Sequence, residues 1–455
     1  MRLRVCLVQL GARPPAEAAR ALAEAEAAVQ EGADRGALLV VLPKAVGSPS
    51  PLALDGGQAS GEPWQARAAA LGRVARRAGV YLAAGLATPA RADDGAGESV
   101  CVLLDPAGAL VAAVPSAPRG SAATARSGAV PPQVVDTAVG RLGILPGEAL
   151  TDPVPARRLA EAGVSVLIVP SALEARDRVA AAERQAAIDR PRARARENGI
   201  AVFVADWSGK VGRRRLLGTT AVYGPGGVRL ASVAPGHAGL ALTELDLPMP
   251  LLRRSRGARL PPTPPRLPKS PRRTLVLAVA QGPDHGTWTP LALPIAPHLL
   301  VAPMVPRGDH PQPCLARVAT GRARVVAPGR ATQEIVRGER FVAGQRIVEA
   351  GATGVGVLFG DEVTAPEPAR LLAAVGAQVL VLYAEALDPE DARFWARVRA
   401  RENAMAAVVC GRAQGTIVAP DGRIVAEGAM RRSAVVAGRV TVGGARLPAE
   451  AQAPV

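Results

Sequence analysis

The chain has 455 residues, 49% hydrophobic, 21% charged and only 2% aromatic, with four cysteines and a formal net charge of +16. That length supports two or three domains with cores of their own, which the composition requires to be built from Ala, Val and Leu. No apolar run reaches the roughly 18 residues of a membrane span.

The N-terminal Met1–Gln9 lacks a signal-type apolar core and cleavage site. Cys6, Cys101, Cys314 and Cys410 show no CxxC or Cys/His spacing, and His237, His285, His298 and His310 have no metal-ligand spacing. The expectation is a reduced, cytoplasmic protein with no metal, no cofactor and no membrane partner. The positive charge is almost all arginine, since lysine occurs only at Lys44, Lys210 and Lys269. Aromatic residues are too few for a stacking platform, so nucleic acid is not the expected partner.

Residues 2–10 alternate and are β-rich, a first strand. Pro14–Gly32 is an Ala/Glu helix former closed by glycine. Ala37–Leu42 is a continuous apolar run, a buried strand ending at Pro43 with Lys44 next. A helix over Trp64–Ala78 stops at Gly79, and Val80–Gly85 is another buried strand. Ser99–Leu104 and Leu110–Val114 form a hairpin around Asp105-Pro106-Ala107-Gly108, and 116–132 is loop. A strand into Leu145, a sharp turn, a helix over about Pro155–Ala162 and the strand Val164–Val169 come next. A long helix over roughly Ala175–Asn198, the strand Ile200–Ala205, a hairpin of Gly218–Tyr223 with Val228–Val233, and the strand Leu240–Leu247 complete the first half. Arg253–Arg273 is Pro- and Arg-rich without periodicity, a connector.

The second half begins at Leu275–Gln281, which matches the first strand, but the first helix is replaced by residues 282–297. Leu299–Met304 matches Leu39–Lys44, and the equivalent of the second helix is abbreviated, around Cys314–Ala323. From Gly356 the match is complete. Gly143–Arg157 and Gly356–Arg370 are offset by 213 without a gap, and eight of fifteen positions are identical. Arg194–Asn198 recurs as Arg399–Asn403, and the second hairpin recurs at Thr416–Gly422.

The order of these pieces resembles the nitrilase, or carbon–nitrogen hydrolase, superfamily: a first strand ending in VQL, LVVLP followed by one key residue, and glycine four residues before a nucleophile position. Proline at plus six, arginine at plus ten, a RAxEN helix end and P-x-G on a late hairpin extend the match. The resemblance implies an α/β fold of two α-β-β-α sandwich units in tandem, the second trimmed, packed as an internal pseudo-dimer. The expected division is 1–250, a connector at 251–273, and 274–455.

The family's chemistry uses a glutamate base, a lysine and a cysteine nucleophile: the thiolate attacks, the glutamate shuttles protons and the lysine steadies the developing oxyanion. Carried over by position, this set is missing in both halves. Lys44 and Met304 stand at the glutamate position and Gly147 and Gly360 at the nucleophile. Ser116 and its small-residue loop stand where the lysine is expected, and Arg337 and Arg340 lie nearby in the second half. Arg157, Arg370, Glu197, Glu402, Asn198 and Asn403 fall where the family pins helices and loops, through capping and local ion pairs.

Substitute groups are Glu148, Asp361 and Glu362 as bases beside the turn, and Cys314 as a thiol if it begins a helix. A lone Lys44 at a pocket floor could hold an anionic ligand, or could be paired with Glu148. The expected function is therefore a catalytically inactive hydrolase fold that binds a small anionic or amide-like ligand, scaffolds or regulates. Lys44, Glu148, Arg337, Asp361 and Glu362 are its ligand-binding candidates. The alternative is an amidase-type hydrolase of non-peptide C–N bonds using substitute residues.

Overall fold

β1 (Arg2–Gly11) is buried on both faces: Leu3, Val5 and Leu7 enter one core while Cys6, Val8 and Leu10 enter another, as the two-residue period of a strand requires. The structure is a computed structural model and describes residues 2–13, 17–46, 63–87, 99–116, 133–247, 273–281, 299–307, 310–319, 322–326, 346–350, 353–374, 376–384, 387–411, 414–429 and 434–443. The chain divides into two compact units, Met1–Ser255 and Arg256–Ala449. The expected connector at 253–273 lies outside the described residues except for Arg273.

In the first unit, α1 (Ala18–Asp34) presents Ala21, Ala25 and Val29 to the sheet, one stripe at helical spacing. The expected stop at Gly32 is corrected. Gly32 lies inside the helix, and a Cβ there would stand 3.0 Å from Cys6 Sγ, so the glycine permits close packing rather than ending the helix. β2 (Leu39–Val41) follows, and α2 (Trp64–Ala78) ends as expected on left-handed Gly79, whose N–H donates to Ala75. β3 (Tyr81–Ala87), β4 (Ser99–Leu104) and β5 (Leu110–Ser116) complete one side of the sheet.

Next come β6 (Val134–Thr137), β7 (Gly140–Ile144), α3 (Pro153–Glu161), β8 (Val166–Pro170), β9 (Glu174–Arg176) and α4 (Ala180–Asn198). α3 starts earlier than expected because the Asp152 carboxylate caps Val154 N at 3.0 Å and Pro153 opens the first turn. α4 starts later than Ala175 because Glu174–Arg176 is drawn into a sheet edge. β10 (Ala201–Ala205), β11 (Trp207–Val211), β12 (Arg214–Leu217), β13 (Ala221–Tyr223), β14 (Arg229–Ser232) and β15 (Gly239–Asp246) close the unit.

One sheet runs β5-β4-β3-β2-β1-β11-β12-β9, with β15 also paired to β1, and the other runs β14-β13-β10-β8-β7-β6. Leu3, Val5, Leu7, Leu39 and Val41 of the first meet Leu142, Ile144, Val166, Ile168 and Phe203 of the second. α1 and α2 cover the first sheet from outside, while Ala156, Leu159 and Ala195 of α3 and α4 cover the second. The layers are therefore α-β-β-α.

The second unit has β16 (Arg273–Gln281), β17 (Leu299–Arg307), β18 (His310–Ala319), β19 (Arg322–Val326), β20 (Arg346–Ala350) and β21 (Thr353–Phe359). α5 (Pro366–Ala374), β22 (Ala377–Tyr383), α6 (Pro389–Asn403), β23 (Ala406–Cys410), β24 (Gln414–Val418), β25 (Ile424–Ala429) and β26 (Ala434–Val442) follow. Its sheets run β19-β18-β17-β16-β26 and β20-β21-β22-β23-β24-β25. The second of these has the same order and strand directions as β6-β7-β8-β10-β13-β14. The abbreviated helix expected around Cys314–Ala323 is overturned: residues 314–319 and 322–323 are strand, with Cys314 in β18 opposite Ala302 of β17. The helix-terminus argument for a reactive Cys314 falls with it.

Candidate functional site

Lys44 is held by its backbone before its side chain is considered. Its N–H donates to Ser171 O at 3.0 Å, and Trp207 Nε1 donates to its carbonyl at 2.6 Å. Gly85 on β3 lets it approach, since a Cβ there would lie 2.6 Å from Lys44 Cα. The side chain is 6% exposed. Its Nζ donates to Ser116 Oγ at 2.9 Å and to Glu148 Oε1 at 2.8 Å, and Ser116 Oγ donates to the same carboxylate oxygen. Ser116 ends β5 and Glu148 sits in the single 3-10 turn Gly147–Thr151 that follows β7. Three separate elements thus converge on one ion pair.

Burial pushes the Glu148 carboxyl up, but the Lys44 charge and the hydrogen bonds from Lys44 and Ser116 outweigh it and hold the group below its ordinary value. A depressed carboxyl stabilises the fold above its unfolded value and loses that contribution as pH falls through the folded one. The stability difference between the wild type and Lys44→Met is therefore expected to be constant near neutrality and to shrink in acid. Melting temperatures from pH 7 down to pH 3 check this, and a gap that stays constant would remove Glu148 as the titrating group.

Gly147 and Gly360 are glycines for different reasons. Gly147 is not among the residues with left-handed backbone, whereas Gly360 has φ +47°. A Cβ at Gly147 would overlap Ser171 Oγ and stand 2.9 Å from Ser171 Cβ; a Cβ at Gly360 meets nothing within 4 Å. Ser171 is fully buried, so it occupies the space that a side chain at 147 would enter. Only Gly360 serves the bend through left-handed backbone. Gly147→Ala is expected to cost about 1–3 kcal/mol by overpacking and to be rescued by Ser171→Gly. Gly360→Ala should cost about 1 kcal/mol through backbone strain. Denaturation midpoints of the three variants distinguish the two causes.

Cys6, Cys101 and Cys410 are buried thiols. Burial pushes Cys6 and Cys101 to about 12, in Cys101 with Glu148 adding to the rise and Lys44 opposing it; such thiols are inert at neutral pH. Cys410 is buried in the inter-sheet core of the second unit.

Asp206, fully buried between β10 and β11, accepts from Leu173 N at 2.9 Å, Thr219 N at 3.1 Å and Thr219 Oγ1 at 2.8 Å. Burial nevertheless lifts it to about 6. It fixes the loops flanking Ser171 and Trp207. Sequence reasoning passed over Asp206, Ser171 and Trp207; the one available signal was a carboxylate closing the apolar run Ala201–Ala205.

The turn in each unit is pinned by a buried arginine. Arg194 Nε donates to Leu150 O at 3.2 Å and its guanidinium pairs with Glu197, while Asn198 Nδ2 donates to Arg194 O at 2.8 Å. Arg399 donates to Val363 O and Thr364 O, both at 2.9 Å, and pairs with Glu402 at 2.6 Å; Asn403 Nδ2 donates to Arg399 O at 3.0 Å. Arg157 Nη1 donates to Glu197 O at 3.1 Å.

Of the expected ligand-binding residues, Lys44 and Glu148 are brought together. Glu362 is exposed, and its carboxylate accepts from Phe359 N at 2.9 Å, which caps the turn at Gly360. Met304 lies in β17 and Asp361 in the turn Gly360–Thr364, but their side chains, and all of Arg337, lie outside the described residues.

The first unit is an α-β-β-α sandwich that carries the Lys44–Ser116–Glu148 cluster beside the turn between β7 and α3. The carbon–nitrogen hydrolase family matches residues 4–249, more than half of the chain, and the chain belongs to that family. The crystal structure of an amidase from Nesterenkonia sp. is similar, with 25% identity, 55% of this chain and 93% of that chain covered, and a TM-score of 0.45. A mutant of the Nesterenkonia AN1 amidase from the nitrilase superfamily is similar at 24% identity, with 53% and 90% covered and a TM-score of 0.43. No curated protein matches the chain. Among the described residues, no helix is long and apolar enough to cross a membrane.

Proposed function

We propose that this chain is a carbon–nitrogen hydrolase fold that has given up hydrolysis and serves as a binding, scaffolding or regulatory module. The observation that carries the reading is the occupied nucleophile position: Gly147 has no side chain, and Ser171 fills the space one would need. The neighbouring charges support it. Lys44 and Glu148 neutralise one another, so this pair offers no uncompensated cation. A small neutral, amide-like ligand fits that balance better than an anion.

The reading extends to both halves. The shared order of the six-stranded sheets and the repeated arginine clasp support a tandem duplication whose second copy is trimmed, and an internal pseudo-dimer is the arrangement we propose for it. A monomeric solution mass is the expected result, and a stable assembly of several chains would count against it.

One observation favours residual chemistry with substitute residues: the Ser116 hydroxyl sits between an ammonium and a carboxylate. A depressed carboxyl is a weak base for it. Purified protein assayed against amides, nitriles and carbamoyl compounds is expected to give no turnover. Turnover that disappears in Ser116→Ala, or in Cys314→Ala, would overturn the proposal and name the nucleophile.

A further inference from the structure

β11 and β12 form a hairpin that turns at Gly212, with β9 paired along its outer strand. Its apolar anchors are Trp207, Leu216 and Leu217, all buried, while Lys210, Arg213, Arg214 and Arg215 at the far end are exposed, as is Arg176 on β9. Successive residues of a strand point to opposite faces, so Arg214 and Arg215 put cations on both sides.

The pairing register is costly. Lys210 stands opposite Arg215, and Arg214 stands opposite Arg176; like charges directly across a ladder are destabilising. Two acids offset part of this. Asp177 pairs with Lys210 at 2.9 Å and Arg215 at 3.3 Å, and Glu174 pairs with Arg214. Arg176 and Arg213 make no ion pair among the described residues. Among the described side chains, five cations against two anions leave an excess of three on an exposed ribbon. A local conflict of this kind, kept where no packing requires it, marks a surface used for something other than folding.

The geometry points to a sequence-independent contact between this ribbon and the phosphate backbone of a nucleic-acid duplex. Guanidinium forks match phosphate oxygens bidentately. Among the described residues of the tip, Lys210–Arg215, the one apolar side chain is half-buried Val211, too little to seat the buried anchors of a protein interface, which favours a polyphosphate backbone over an acidic protein. Stacking residues, whose scarcity argues against single-strand binding, are not needed to grip duplex phosphates.

The test uses the full chain and a short labelled DNA duplex, with binding followed by fluorescence anisotropy over a series of salt concentrations. The logarithm of affinity is expected to fall linearly with the logarithm of salt. In Arg176→Ser/Arg213→Ser the slope should be smaller by roughly 2, near 0.9 for each phosphate no longer neutralised. Circular dichroism should be unchanged, because neither side chain is packed, and the melting temperature should not fall, since Arg176 no longer opposes Arg214. Absence of salt-dependent binding would overturn the proposal. So would a slope unaltered by the double substitution, which would move the binding surface to another basic segment such as Arg253–Arg273. Equal binding of polyglutamate, abolished in the same variant, would replace it with an acidic-protein partner.

Discussion

Glu148→Ala is expected to destabilise the first unit by about 3 kcal/mol, because it leaves the Lys44 ammonium buried with only a hydroxyl for company. Lys44 is 6% exposed and Glu148 is 26% exposed, so the two deletions are not equivalent. Lys44→Met strands a carboxylate that water reaches and should cost about 1 kcal/mol. Replacing both, as Lys44→Met/Glu148→Gln, should recover most of the loss. Denaturant midpoints of the first transition measure all three. Equal costs for the two single variants would mean that the pair is a solvated surface bridge and not a buried one.

Arg194→Lys should be nearly as damaging as Arg194→Ala, each costing about 4 kcal/mol. One planar guanidinium serves both the Leu150 carbonyl and Glu197, and a single ammonium cannot span the two acceptors in that geometry. The arginine is fully buried and Glu197 is 1% exposed, so solvent cannot replace the guanidinium beside that carboxylate. Arg399→Lys offers the matched experiment, since Arg399 holds Val363, Thr364 and Glu402 while lying 4.8 Å from the Trp395 ring centroid. Amide exchange in the turns Gly147–Thr151 and Gly360–Thr364 should quicken in the corresponding variants. A lysine variant with wild-type stability would assign the clasp to charge alone and remove the fork from the explanation.

The parts of the fold legible in the sequence were those with strong local punctuation. α2 was bounded by its Ala/Leu stripe and Gly79, and β4 with β5 by the turn Asp105–Gly108. Elements that owe their existence to a neighbour were missed. The ribbon of β9, β11 and β12 is polar, short and Arg-rich, and becomes strand because β1 continues into it at Leu10 and Gly11. β18 carries Pro311 and Pro313, which demote a strand when read locally, yet it pairs along β17. At the site, Gly147 and Glu148 are recoverable from the spacing of the repeated turn, and Lys44 from its place after the run Leu39–Pro43. Ser171 is not, because its relation to Gly147 exists only after β8 is laid beside β7.

The seating of Ser171 against Gly147 also sets what a side chain introduced at 147 would cost. A single substitution that restores a thiol at 147 meets a filled site and lowers stability before any chemistry can offset it. Two coordinated changes are needed, and Lys44 would still carry the wrong charge for a base. If the proposed loss of hydrolysis holds, no single substitution at 147 would bring activity back, since each step first costs stability or leaves the wrong charge in place.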